Sequence, residues 1–227
     1  MEAVRNFLVD DAVYLTWGIA LLEVIVTVLL FIDHHKKHEP IILCMALLGV
    51  GLCFDAIVIG FGGMILPPIL PLLSRVRFVL HGLLIPLNLV ICGYAIPMYP
   101  RPQRVVWVLT VLIMLAGAAS GVFRQIDMAA PIGDIVRFVS VSPKSDWTEM
   151  VNTALTFGTM IPLILTGFVV LFKQKSPSIL LAGVLMFAFT AVAPATGNAD
   201  LLFLTSMFGE LCMMFFYMVF EKRHTTI

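Results

Sequence analysis

Residues 13–32 read VYLTWGIALLEVIVTVLLFI, with Glu23 as their one acidic or basic side chain. A helix rises about 1.5 Å per residue, so a run of this length matches the roughly 30 Å hydrocarbon core of a bilayer. The pattern recurs along the chain. Apolar runs over 41–62, 77–97, 105–122, 150–172, 179–197 and 201–220 predict six further spans. Polar breaks separate them. DHHKKHEP lies between the first two, Pro67, Pro68 and Pro71 follow the second, MYPRPQR the third, and KQKSPS the fifth. Gly197, Asn198 and Asp200 mark a short turn between the last two.

Composition leads to the same class. The chain has 227 residues, 60% hydrophobic and 12% charged, against about 25% charged in soluble domains. That is too little polar surface to cover a water-soluble globule. Seven spans with short connections use nearly the whole chain, so the expectation is an all-α, polytopic seven-helix bundle forming one transmembrane domain over 1–227. Residues 1–12 carry Glu2, Asp10 and Asp11 against Arg5. A secretory signal begins with positive charge, so the first run is expected to remain as a span.

Basic residues orient the bundle. Lys36, Lys37, Arg101, Arg104, Lys173, Lys175, Lys222 and Arg223 fall at one set of ends, as pairs in four short segments. Arg5, Arg75, Arg77, Arg124, Arg137 and Lys144 fall at the other. The paired set is expected in the cytoplasm, with the N-terminus outside, and the expected location is the cell membrane. The longest connection, 123–149, is too charged to span; its apolar part, IVRFVSV, is either a short strand or a segment on the membrane surface.

Ionisable groups inside a membrane are costly, at least about 2.5–3.5 kcal/mol at mid-depth, and are expected to face the bundle interior. Glu23 and Glu210 fall near mid-membrane on the first and last helices, Asp55 in the outer half of the second, and Arg77 at the outer start of the third. His81 and Asn88 continue the Arg77 face at helical spacing. Asn152, Thr153, Thr156, Thr159, Thr190, Thr196, Asn198 and Asp200 share the outer bias, while the inner halves are mostly aliphatic. These residues predict an outward-opening polar pocket, with Arg77 and Asp55 as counter-ions. Each has a structural alternative. Arg77 can snorkel to headgroups, His81 can be a packed core histidine, Asp55 can bond neighbouring backbone, and Glu23 and Glu210 can share a proton as an interhelical pair.

Other chemistry is less well served. Of five histidines only His81 is in a span, which excludes a three-histidine zinc site within the membrane. His34, His35 and His38 read as a solvated basic loop. Cys44, Cys53, Cys92 and Cys212 fall inside apolar runs without CxxC spacing and read as small hydrophobes. Met207, Met213 and Met214 read as packing. Gly49, Gly51, Gly60, Gly62 and Gly63 allow close helix approach. No GxSxG nucleophile motif or glycine-rich phosphate loop occurs, and no basic stretch points to nucleic acid.

Helix three, RFVLHGLLIPL, carries Arg77, an aromatic at Phe78, and Pro86-Leu87 nine positions after the arginine. With seven spans, this orientation and this length, the chain resembles the microbial rhodopsins. The resemblance implies their seven-helix fold. It does not extend to their cofactor, which those proteins hold through a lysine on the last helix. Residues 201–220 contain no lysine, Leu80 and His81 stand where the family has its acidic counter-ion and a tryptophan, and the helix-six tryptophans are missing. Covalent retinal is therefore not expected, and no other cofactor is indicated.

The leading expectation is a sensor or transporter that binds a small molecule or lipid, or is linked to protons, through Glu23, Asp55, Arg77, His81, Asn88 and Glu210. One alternative is a membrane-embedded enzyme acting on lipid, with His81 and Asp55 or Glu23 as acid–base groups. The other is a structural or partner-binding membrane protein. Membrane lipid is an expected partner, and homo-oligomerisation is left open.

Overall fold

A computed structural model describes residues 2–96 and 100–224. The chain is all-α apart from one small hairpin. A short helix α1 (Glu2–Asp10) precedes α2 (Ala12–Lys37), α3 (Pro40–Gly60), α4 (Leu70–Leu84), α5 (Leu87–Ala95) and α6 (Pro100–Phe123). Strands β1 (Ile126–Met128) and β2 (Phe138–Ser140) come next. Then follow α7 (Trp147–Gln174), α8 (Ser178–Ala195), a single 3-10 turn (Ala199–Leu201) and α9 (Leu202–His224). Seven helices are long and apolar enough to cross a membrane, α4 and α5 counting together as the third.

Three boundaries differ from the sequence reading. The third span starts at Leu70, not 77, because Pro71 enters the first turn, where its missing N–H costs nothing. Arg77 therefore lies two turns inside the helix rather than at its start. The expected end of that span at 97 lies outside the described residues. The DHHKKH segment is not a loop: α2 runs through Lys37 and ends on His38 in the left-handed conformation (φ 55°). His34, His35, Lys36 and Lys37 in its last turn complement the negative end of the helix dipole. The third span is also interrupted. Pro86 lacks an N–H, and at the break Asn88 N–H bonds the Ile85 carbonyl (3.1 Å) and Leu89 N–H the Pro86 carbonyl (2.9 Å), tightening the turn between α4 and α5.

The spans form a ring in chain order, each packing on the next, and α9 closes it against α2. The third span also touches α7 through α5. Packing between α4 and α6 is backbone to backbone, since a Cβ on Gly82 would meet Gly117 and one on Gly121 would lie 2.7 Å from the Phe78 carbonyl carbon. Gly117 and Gly121 are a GxxxG pair, the spacing that permits such approach. The glycines of the second span serve similar contacts: Gly49 faces Thr27, Gly51 faces Leu84, and Gly60 faces Trp17, whose indole N–H bonds the Gly60 carbonyl at 2.8 Å. Lipid-facing surfaces are aliphatic, as on α6, where Val108, Leu112 and Leu115 are exposed.

The long connection resolves as a strand pair. β1 and β2 run antiparallel, Ile126 opposite Ser140 and Met128 opposite Phe138, and Gly133 (φ 55°) lies in the loop between them. The segment folds over the end of the bundle, termed here the hairpin end. Ile135 is buried there, Gly62 sits under the Val136 carbonyl, and Gly133 sits against the Val9 carbonyl. Asp146 caps α7 by accepting from the Thr148 N–H (2.8 Å). The Thr148 hydroxyl also donates to it (2.6 Å), and this bond, with that from the N–H, holds its carboxyl below the ordinary aspartate range.

Candidate functional site

Two apolar cores divide the bundle along its length. The smaller, at the hairpin end, joins Ala12, Ile19, Ala56, Ile59, Leu204 and Met207. The larger, toward the C-terminal end, includes Leu30, Leu52, Ile85, Ile91, Met213 and Tyr217. Glu23, Asp55, His81 and Glu210 fall between them: Glu23 between Ala20 and Val26, Asp55 between Leu52 and Ala56, His81 one turn before Ile85, and Glu210 between Met207 and Met213. Four helices thus contribute to one polar layer. Glu23, Asp55 and Glu210 are close enough to interact electrostatically. His81 is within electrostatic reach of Asp55, Arg77 and Arg124.

Arg77 tops this layer. Its Nε is 3.1 Å from Asp55 Oδ1, with both side chains largely buried (7% and 16% exposed). The N–H does not point along that line, so the contact is ionic rather than a well-formed hydrogen bond. Its Nη2 donates to the Phe138 carbonyl of β2 at 2.9 Å. Arg77 is therefore not snorkelling to headgroups; it ties the hairpin to α3 and α4.

Two loop arginines complete the cluster. Arg124 is 7% exposed, and one Nη donates weakly to the Thr148 carbonyl (3.4 Å). Arg137 donates to the Asp200 carbonyl (3.2 Å) and lies 4.4 Å from the centre of the Phe203 ring. Two guanidiniums lie against the Phe78 ring, Arg77 at 4.6 Å and Arg124 at 5.1 Å from its centre. Among the described residues, neither Arg124 nor Arg137 has a carboxylate at ion-pair distance. The Nε of each is buried without a hydrogen-bond partner. Burial pulls both below the ordinary arginine range. Arg77 pulls further in the same direction, against Glu149 for Arg124 and Asp200 for Arg137. Both stay charged at neutral pH. The sequence reading counted these residues only for orientation. Nothing in their spacing announces that the hairpin folds them back over α4.

These groups line a polar cavity of about 440 Å³ bounded by Asp55, Arg77, His81, Arg124, Arg137 and Glu210. Asn152 and Ser206 also line it. A second cavity of about 370 Å³ adjoins it, sharing His81, Leu202, Ser206 and Glu210. Its remaining walls include Ile85, Phe157, Met160, Met186 and Phe187. Thr156, Thr159 and Thr190 also line it, but their hydroxyls bond their own helices' carbonyls at Asn152, Leu155 and Met186, leaving methyls for the wall. Both volumes fall in the range of about 300–1,000 Å³ usual for ligand pockets.

Two expected site residues lie outside both linings. Asn88 is buried among the larger core and accepts from Tyr217 Oη at 2.5 Å, a link between α5 and α9. Glu23 is fully buried, and neither carboxylate oxygen has a hydrogen-bond partner, so no direct Glu23–Glu210 hydrogen bond forms. Thr153, Thr196, Asn198 and Asp200 line neither cavity.

An unpartnered buried carboxyl costs about 1–3 kcal/mol. Glu23→Met, similar in volume, is therefore expected to raise stability by about that amount in chemical unfolding of the reconstituted protein. A loss would instead mean that Glu23 has a stabilising partner. No cluster of three or more His, Cys, Asp or Glu suited to a metal occurs among the described residues. The chain matches no protein-family model and no curated protein, so its function rests on the chemistry of these side chains.

Proposed function

We propose that this protein is a multi-pass cell-membrane protein whose polar pocket, at the outward end of a seven-helix bundle, binds a small molecule or lipid as part of a sensor or proton-linked transporter. The observation that carries this reading is the convergence of Arg77, Arg124 and Arg137 with Asp55, His81 and Glu210 around one cavity within the span region. Buried charge is expensive, and a fully structural set would be expected to pair off. Here one ion pair forms and two guanidiniums are left with carbonyls and rings. The outward assignment rests on the paired basic residues at the opposite ends. In the proton-linked form, His81 titrates and Glu210, reached from the cavity, exchanges a proton.

The test is a high-resolution structure of the protein purified with native lipid, alongside the Arg77→Ala and His81→Ala variants. Density in the polar cavity that touches Arg77 and His81, and that both variants lose, is the expected result. Retention of the same occupant and of any proton flux in both variants would end this reading.

A further inference from the structure

The two cavities adjoin at a shared wall and differ in chemistry. The shared residues His81, Leu202, Ser206 and Glu210 mark the junction. On one side lie three guanidiniums; on the other the walls are aromatic, aliphatic and methionine. A ligand filling both would be anionic at one end and apolar along the rest.

The apolar part opens sideways. Toward the C-terminal end, α7 and α8 touch closely, since a Cβ on Gly167 would lie 2.6 Å from the Leu180 backbone nitrogen and one on Gly183 would meet Ile164. One to two turns toward the hairpin end, Met160, Phe157 and Thr156 of α7, with Phe187, Thr190 and Ala191 of α8, line the cavity. Phe157 and Phe187 are 48% and 43% exposed, and Thr156 and Ala191 are also exposed, on a surface that faces lipid. Pro162 lies between these two levels of α7, and it removes the hydrogen bond that the Gly158 carbonyl would receive.

Building on the pocket reading above, we infer that the ligand is an anionic single-chain amphiphile, such as a long-chain carboxylate, which enters from the membrane between α7 and α8. Its head lies against Arg124 and Arg137, and its chain in the apolar cavity. Charge complementarity selects the head: Arg77 already has Asp55, while Arg124 and Arg137 line the cavity with no carboxylate at ion-pair distance among the described residues. The apolar cavity, about 370 Å³, is of a size to take one chain. A small soluble anion would leave that cavity unused, and a neutral or cationic lipid would leave the arginines unpaired.

The test uses stearate spin-labelled near its methyl end, with the protein in phosphatidylcholine nanodiscs in mildly alkaline buffer. Electron paramagnetic resonance reads the immobilised fraction. Stearate is expected to associate about tenfold more strongly than its methyl ester, the worth of a charge-assisted contact. Arg124→Gln with Arg137→Gln is expected to erase that preference. Ala191→Trp, which fills the mouth of the cleft from an exposed position, is expected to remove the immobilised component for both probes without lowering the melting temperature. Equal association of acid and ester, or a preference that survives the arginine replacements or the Ala191→Trp plug, overturns the inference. If inorganic phosphate or acetate raises the melting temperature through Arg77 while stearate shows no preference, the site takes a small anion; this inference then fails and the pocket reading stands. If neither probe class responds, both fail.

Discussion

Asp55→Asn is expected to cost the folded protein about 3–5 kcal/mol, and adding Arg77→Gln to recover most of that loss. The reason is the environment of the pair. The side chains are only 7% and 16% exposed, so solvent screens them little beyond what the cavity admits. Removing the carboxylate leaves a guanidinium in the interior with the Phe138 carbonyl as its hydrogen-bond acceptor. Removing both charges leaves neither desolvation penalty. A double-mutant cycle, with unfolding of the reconstituted protein as readout, isolates the coupling. Additive single losses would show that the two groups do not act as a pair. Arg77→Lys is not a conservative control, because a lysine cannot serve Asp55 and Phe138 through one planar fork.

Gly117→Ala and Gly158→Ala are expected to move stability in opposite directions. In α6 an added methyl at Gly117 meets the backbone of Gly82, with nothing flexible to yield, so α4 and α6 must separate. A loss of about 1–3 kcal/mol follows from overpacking. At Gly158 an added Cβ finds no atom within 4 Å. There the helix gains up to about 1 kcal/mol from the lower backbone entropy of alanine. The first variant has a second effect: α4 carries Arg77, Phe78 and His81, so displacing it reshapes the polar cavity. Thermal melts of both proteins in one detergent give the comparison, and equal shifts would refute it.

The seven spans were legible because bilayer thickness imposes a length that no tertiary contact can override, and the apolar run at 13–32 meets it on its own. Glu23, Asp55, His81 and Glu210 were legible as a group for a related reason, since charge in lipid must turn inward. Their sorting was not. Asn88 shares helical spacing with Arg77 and His81, but the break at Pro86 puts it on α5, where Tyr217 takes it into the core. Arg124 and Arg137 were invisible as site residues, because their place depends on a hairpin held by long-range contacts of Ile135 and Gly62. The GxxxG at Gly117 and Gly121 is a signal the sequence does carry, and it would have paired α6 with a neighbour. The short α1 has no such signal; it is too short to span and too mixed in charge to stand out.

The larger core has an electrical consequence. From Asn88 the bundle is tightly packed until a cavity of about 220 Å³, lined by Met45, Tyr94, Gln174 and Glu221, opens toward the C-terminal end; the layer between, Asn88 to Gly93, covers about 9 Å at about 1.5 Å per residue. Both main cavities lie on the other side of it. If they are wetted, most of a transmembrane voltage drops across this thin packed layer, because a conducting vestibule carries little field. Charges at Arg77 and Asp55 would then sense almost none of the potential. A proton or ion passed from Glu210 through the layer would cross nearly all of it, gaining or losing about 2.3 kcal/mol per 100 mV. The bundle is then a focusing lens for the membrane field, and steep voltage dependence would need only a few ångströms of charge movement beneath Glu210.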